Sequence, residues 1–432
     1  MRVLWVVNLI LPVFAKMKGK PFSGNEGWLS GIYQAVGAAG LSDLTLAVAY
    51  PEDADTVISG KENWNGTVWY AFAEELGHPE RYDAALEERF REILADFQPD
   101  LVHVFGTEFP HGLAVLKVWN RPDRTLVGIQ GFCAGIADAY MAGLPEDVQR
   151  EVTFRDLIRK DSLMQQQKKF RARAEHEREA LMLAGHVTGR TDYDRRVTGE
   201  VNPARVYHPM NETLRDVFYE GRWTQKEAVR FRVFLPQGNY PLKGFHYLLE
   251  ALRLLLPDYP EIQLVVAGNS VIGGDGRRIP MFLRIGAYGR YLRRLIAQGH
   301  LKNHVTVTGR LTAEQMKEHM LRSSVFVLPS EIENSPNSMG EAMLLGMPVI
   351  ASRTGGIPSL LTENREGLLV DPGDTKGLAQ AIRQIFEEPV IAGVYGENAA
   401  KRARVTHDPK TNFERLLAIY GEIMEGGGDA AS

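Results

Sequence analysis

Val325-Phe-Val-Leu-Pro-Ser-Glu-Ile-Glu-Asn-Ser-Pro-Asn-Ser-Met-Gly-Glu-Ala-Met343 is the stretch that decides the fold. Its first four residues are apolar and strand-like, and Pro329 closes the run. A helical Glu-Ala-Met-Leu-Leu-Gly follows, then Pro348-Val-Ile-Ala-Ser352 as a second short strand, then Gly355-Gly356. This order puts Glu333 in the loop at the carboxyl end of a strand and Glu341 inside the next helix. Ligands bind in that position in open α/β sheets. An ionised carboxylate only accepts hydrogen bonds, so two of them around one helix start suit a ligand rich in hydroxyls. The free N–H groups of the helix start suit phosphate. Hydroxyls and phosphate together point to a sugar nucleotide. Two glutamates at this spacing alone are more often a solvated helix face. Strand, Pro-Ser lead, spacing, helix, second strand and Gly-Gly acting together reverse that weighting.

Outward from this block, short apolar runs alternate with long helical patterns. The runs fall at 3–7, 44–49, 101–105, 126–129, 233–235, 264–267, 305–307, 325–328 and 349–351. Strands alternating with helices build parallel sheets from βαβ units. A chain of 432 residues is too long for one core. The expected division is residues 1–208, then 209–408, with a break near Tyr207–Thr213 after a long polar helical stretch at 151–184. A helix at 409–425 and a disordered tail at 426–432 complete the chain. The hydrophobic content of 44% is that of a globular protein, and the net charge of −4 excludes bulk nucleic-acid binding. A single cysteine, Cys133, makes an internal disulfide impossible and fits a cytoplasmic protein. No run reaches the length of a membrane span. The apolar start is read as a buried strand rather than a signal sequence, because it lacks a small-residue cleavage site and three lysines follow.

The block 325–356 resembles the signature of the retaining family 4 glycosyltransferases. The resemblance implies an α/β chain of GT-B fold: two Rossmann-like parallel-sheet domains facing a cleft, acceptor side first and nucleotide-sugar side second, with a C-terminal helix crossing back to the first. It implies that Glu333 faces the donor sugar and Glu341 holds the nucleotide ribose. Asn334, Ser335, Asn337 and Ser338, around the helix start between them, join the nucleotide-sugar-binding set. Lys243, in Gln237-Gly-Asn-Tyr-Pro-Leu-Lys-Gly-Phe245, stands where relatives neutralise the leaving diphosphate. Relatives pair that lysine with a nearby arginine; here Gln237, Gly238 and Asn239 stand instead, and Asn239 is taken as a binding residue. Gly24 and Asn25 lie in a loop that in relatives approaches the transferred group. Arg310, in Gly309-Arg-Leu311, borders the base in similar enzymes. Gln130 stands where many relatives have a histidine, and a carboxamide can position but cannot take up a proton.

Three further features are read from the residues themselves. His103 lies within a buried strand and reads as a core residue. His111 is expected in the loop after that strand, as an acceptor or sugar contact. The segment 277–294 contains six arginines and no acid, interleaved with aromatic residues. Such a segment suits either a packed helix or an anionic membrane surface.

The sequence is therefore read as a retaining hexosyl transferase. The donor is a nucleotide-diphosphate sugar, UDP-linked, and the acceptor is a glycan or lipid-linked glycan. No cofactor or metal is expected, and no nucleic-acid partner. The location is cytoplasmic, with peripheral membrane contact through 277–294. The alternatives are a sugar-nucleotide epimerase of the same fold and a non-catalytic sugar-nucleotide-binding protein.

Overall fold

The computed structural model describes residues 1–20, 27–39, 43–53, 60–273 and 280–426. The chain divides into two compact units. One comprises Met1–Ala134, Lys169–Thr213 and His407–Ser432; the other comprises Gly135–Lys168 and Leu214–Thr406. Residues 135–168, assigned by sequence to the first domain, pack with the second unit. The long helix Leu163–Leu183 runs through that boundary without a break, which is why composition gave no sign of it. The expected tail at 426–432 lies outside the described residues beyond Gly426, and so does the loop bearing Gly24 and Asn25.

The first unit is built on eight strands. They are β1 (Arg2–Val6), β2 (Thr45–Asp53), β3 (Lys61–Trp64), β4 (Thr67–Glu74), β5 (Leu101–Phe105), β6 (Thr125–Gly128), β7 (His186–Gly189) and β8 (Val206–Pro209). Their order in the sheet is β3-β4-β2-β1-β5-β6-β7-β8. All pairings are parallel except the hairpin of β3 with β4. Successive side chains of a strand point to opposite faces. In β1, Leu4 and Val6 therefore join one core, and Val3 and Trp5 the other, with Val7 just beyond the strand, all wholly buried. A strand covered on both faces reads as a continuous apolar run, and the sequence pattern at 3–7 is just that.

The helix Pro409–Gly426 completes the first unit. Its Leu416, Ile419, Tyr420 and Ile423 enter the Val3–Trp5 core. The buried Tyr420 hydroxyl accepts from the Trp5 indole N–H at 2.8 Å and lies 2.7 Å from His103 Nδ1. Since that hydroxyl has one proton, it donates to Nδ1. Burial pushes the His103 ring down to about 3, so it is neutral. His103 is a core residue.

The second unit carries β9 (Val229–Leu235), β10 (Gln263–Val266), β11 (Val305–Val307), β12 (Ser323–Leu328), β13 (Val349–Ser352) and β14 (Leu368–Val370). They lie in the order β11-β10-β9-β12-β13-β14, all parallel. The strand order reverses between β9 and β12. The loops leaving these two neighbours diverge there, and a crevice opens at their carboxyl ends.

Candidate active site

That crevice holds the residues singled out by sequence. Lys243 lies in the 3₁₀ turn Pro241–Lys243 that follows β9, and Glu333 lies in the loop that follows β12. The Lys243 ammonium donates to Glu333 Oε1 at 2.6 Å, with both side chains largely buried. Ser330 Oγ donates to the same oxygen at 2.8 Å. Burial opposes the charge on Lys243, but Glu333 and then Tyr240 outweigh it, holding the ammonium above the ordinary lysine value.

Two glycines let the loops meet. Gly244 has φ +67° and comes so close to the Pro329 carbonyl that a Cβ would sit 1.9 Å from that oxygen. Gly355 has φ +50°, and a Cβ there would sit 1.9 Å from the Glu333 carbonyl oxygen. That oxygen also accepts from the Gly356 N–H at 3.0 Å. Gly355-Gly356 is thus the backstop of the Glu333 loop rather than a generic turn.

The helix Asn337–Leu344 begins after Pro336, and Asn337 and Ser338 form its first turn. Asn334 and Ser335 are buried in the loop just before it. Glu341, 2% exposed, lies within this helix. Both of its oxygens are held by the Arg215 guanidinium, from Nε and Nη2, each at 2.6 Å. Burial pushes the Glu341 carboxyl above its usual range, and the Arg215 fork opposes that shift. Arg215 lies 126 positions away in the chain and carries no motif, so sequence reading did not find it.

Asn239, in the turn after β9, has a buried carboxamide oxygen with no hydrogen-bond partner among the described residues. Leaving such an acceptor unmade costs about 1–3 kcal/mol, which a ligand donor would recover. Arg310 lies after β11, exposed, with its Nε on Asn269 Oδ1 at 3.1 Å.

Gln130 and His111 belong to the first unit. Gln130 donates to Glu212 Oε1 at 2.8 Å, and Glu212 is ion-paired with Arg190 at 2.8 Å. His111 is not in a loop: it is the second residue of the helix Pro110–Trp119, with Pro at its first position, a common helix opening. It is wholly buried. Its Nδ1 lies 2.8 Å from Glu74 Oε2 and its Nε2 3.0 Å from Asn8 Oδ1. Contact with an acceptor would require those partners to give way.

Of the arginine-rich segment, residues 280–294 are described, and the helix Ala287–Gln298 within it buries Tyr288, Leu292 and Leu295. Arg290 pairs with Glu151 at 2.9 Å and Arg294 with Asp147 at 3.4 Å. The absence of acids within the segment is made up by acids from 147–151. Among the described residues, no helix is long and apolar enough to cross a membrane.

Residues 225–402 match the family model described as glycosyl transferases group 1. Alpha-D-kanosaminyltransferase of Streptomyces kanamyceticus is 26% identical over 181 residues, 42% of this chain and 43% of that protein. The putative teichuronic acid biosynthesis glycosyltransferase TuaC of Bacillus subtilis is 34% identical over 216 residues, 48% of each. The chain thus spans less than half the length of these curated relatives. Among solved structures, sucrose-phosphate synthase from Thermosynechococcus elongatus superposes with a TM-score of 0.71 at 19% identity, covering 99% of this chain and 100% of that one. Anabaena Alr3699/HepE in complex with UDP-glucose gives 0.66 at 16% identity, covering 98% and 100%. The likeness to these structures shows a GT-B fold, α/β throughout. Within it, residues 225–402 are the part that matches the glycosyl transferases group 1 model.

Proposed function

We propose that the protein moves a hexosyl group from a UDP-linked sugar to a hydroxyl of a glycan or lipid-linked glycan, with retention of configuration. The observation that carries this reading is the Lys243–Glu333 pair, set where the strand order of the second sheet reverses. A cation for the diphosphate and a carboxylate for sugar hydroxyls stand side by side there. Glu341, held in place by Arg215, is the ribose acceptor in the helix that follows the same loop. The unpaired Asn239 oxygen supplies a further acceptor. A solved neighbour in complex with UDP-glucose, and a relative named for teichuronic acid biosynthesis, support the donor and acceptor classes.

Cleavage of the sugar–phosphate bond builds negative charge on the leaving diphosphate and positive charge on the anomeric carbon. Groups already oriented at those two points provide most of such catalysis. Lys243 and the N–H groups at the start of Asn337–Leu344 stabilise the diphosphate, and Glu333 orients the sugar. The acceptor hydroxyl attacks from the face the diphosphate leaves, so no protein nucleophile is assigned and no metal is required. A cytoplasmic enzyme at the inner membrane face would meet a lipid-linked acceptor there.

The test is thermal unfolding with UDP, GDP, ADP and their sugars, since a ligand that binds only the native state raises stability by about 2.7 kcal/mol at a hundred times its Kd. UDP and a UDP-sugar should stabilise most. Slow hydrolysis of that sugar, lost in Glu333→Ala, should follow. Stabilisation by none of them would overturn the proposal.

A further inference from the structure

The segment before the helix Leu163–Leu183 contains a short helix, Phe154–Arg159, that is inside out. Its Arg155 and Asp156 are turned to the protein. Thr153 and Asp156 form a buried capping box, and Asp156 Oδ2 also accepts from the Ala287 N–H at 3.1 Å. Arg155 grips both Asp161 oxygens, at 2.7 and 2.8 Å, and Asp156 Oδ1 at 2.8 Å. The apolar residues face water. Val152, Phe154, Leu157 and Ile158 are 56, 51, 66 and 59% exposed, and Phe282, 55% exposed, packs its ring 5.8 Å from that of Phe154. Scattered surface apolar residues are ordinary. Three on a polar-anchored helix, with Val152 just before it and Phe282 beside it, form a patch of the kind that marks an interaction site.

Charge narrows the partner. Every acid from 146 to 161 is already paired: Glu146 with Arg150, Asp147 with Arg294, Glu151 with Arg290, and Asp156 and Asp161 with Arg155. Arg159 and Lys160, at the end of the apolar helix, are exposed and make no ion pair among the described residues. An apolar face with cations at its border and neutralised acids matches a surface that is apolar beneath and anionic on top, the headgroup boundary of an anionic bilayer.

We propose that this face docks on such a bilayer, with Phe154, Leu157 and Ile158 entering the boundary and Arg159 and Lys160 meeting lipid phosphates. This goes beyond the transfer reaction and stands without it. It also places the membrane contact on the 152–160 face rather than on the paired arginines of 287–298.

The experiment is co-sedimentation of the full chain with phosphatidylglycerol vesicles and with phosphatidylcholine vesicles, at low and high salt. The variants are Phe154→Ser/Leu157→Ser/Ile158→Ser and Arg159→Glu/Lys160→Glu. Wild type should prefer anionic vesicles. The apolar variant should lose about tenfold or more in partitioning at both salt levels, because area removed from water is not screened. The charge variant should lose several-fold at low salt and little at high salt. A conservative variant, Phe154→Trp/Leu157→Met/Ile158→Leu, should keep binding, which separates loss of apolarity from loss of fold. UDP-sugar stabilisation of each variant, read without vesicles, keeps this result independent of the donor assignment. Three outcomes would overturn the proposal: no binding of wild type to anionic vesicles, unchanged binding of the apolar variant, or a wild-type dimer that the apolar variant dissociates without any vesicle binding.

Discussion

Lys243→Met is the most informative single change. Methionine keeps the stem and removes the ammonium, so Glu333 loses the cation at 2.6 Å while the Ser330 hydroxyl at 2.8 Å remains. Removing one partner of a buried ion pair costs about 3–5 kcal/mol, because the other charge is left uncompensated. With Ser330 still bound, the lower end applies, about 3 kcal/mol. For a unit of this size, about 2–4 °C of Tm follows each kcal/mol, so a drop of about 6–12 °C is expected. The pH dependence has a definite sign. In the wild type the lysine is held above its ordinary value, so its stabilisation is complete below the unfolded lysine pKa and is lost only as pH climbs through the raised folded value. It is flat across neutral pH. In the variant the Glu333 carboxylate keeps only the Ser330 hydroxyl, so the deficit should be present across neutral pH. Calorimetry of wild type, Lys243→Met and Lys243→Met/Glu333→Gln across pH 5 to 8 is the assay. The double variant should recover most of the loss. A single variant that melts like wild type, or a double variant no better than the single, would refute the reasoning. Turnover of a UDP-sugar by Lys243→Met should fall about a hundredfold or more, the scale for one charge-stabilising group.

Three other expectations follow from the contacts. Glu341→Ala should weaken UDP by about 1.5–3 kcal/mol, the range for a charged hydrogen bond, and Arg215→Met should weaken it too because Glu341 loses its orientation; titration calorimetry showing the same loss in Glu333→Ala would undo the division of roles. Glu177 is wholly enclosed against Thr107 and the Cys133 N–H, and burial raises its carboxyl to about 8. A raised acid contributes fully below its unfolded value of about 4.3 and loses that contribution as pH rises from there through the folded value, so Glu177→Gln should match wild type near pH 4 and melt progressively higher than it from pH 6 to pH 8. Tyr420→Phe leaves the Trp5 N–H and His103 Nδ1 unpaired in the core, so urea unfolding should report about 1–3 kcal/mol lost for each partner.

The central strands were legible because each is covered on both faces and reads as an unbroken apolar run. The β3–β4 hairpin was not read, although its Asn65-Gly66 turn, with φ +50° and +73°, carries a strong hairpin signal. Its short edge strand alternates and lacks an apolar run. Glu333 in a loop and Glu341 in a helix were legible from one stretch of chain. What joins them to their partners was not, since Lys243 is 90 positions from Glu333 and Arg215 is 126 from Glu341. Such pairings arise from strand order, which periodicity does not report. His111 was misplaced by one turn because Pro110 opens a helix where a loop was expected. The continuous polar stretch at 151–184 hid a break at Lys160, which adopts a left-handed conformation between the helices Phe154–Arg159 and Leu163–Leu183.

Lys243 and Glu333 satisfy each other, and so do Arg215 and Glu341. The two largely buried cations of the site are therefore already engaged. On the proposed reading, entry of a nucleotide sugar is an exchange: the diphosphate takes over Lys243, and the sugar hydroxyls take over Glu333. Both halves of the broken pair are compensated only when the diphosphate and the sugar arrive on one molecule. A spent nucleotide engages Lys243 but leaves Glu333 without a counterpart, and re-forming the internal pair then competes with it for the site. On that reading the Lys243–Glu333 contact favours the loaded donor over the product and hastens product departure after each transfer.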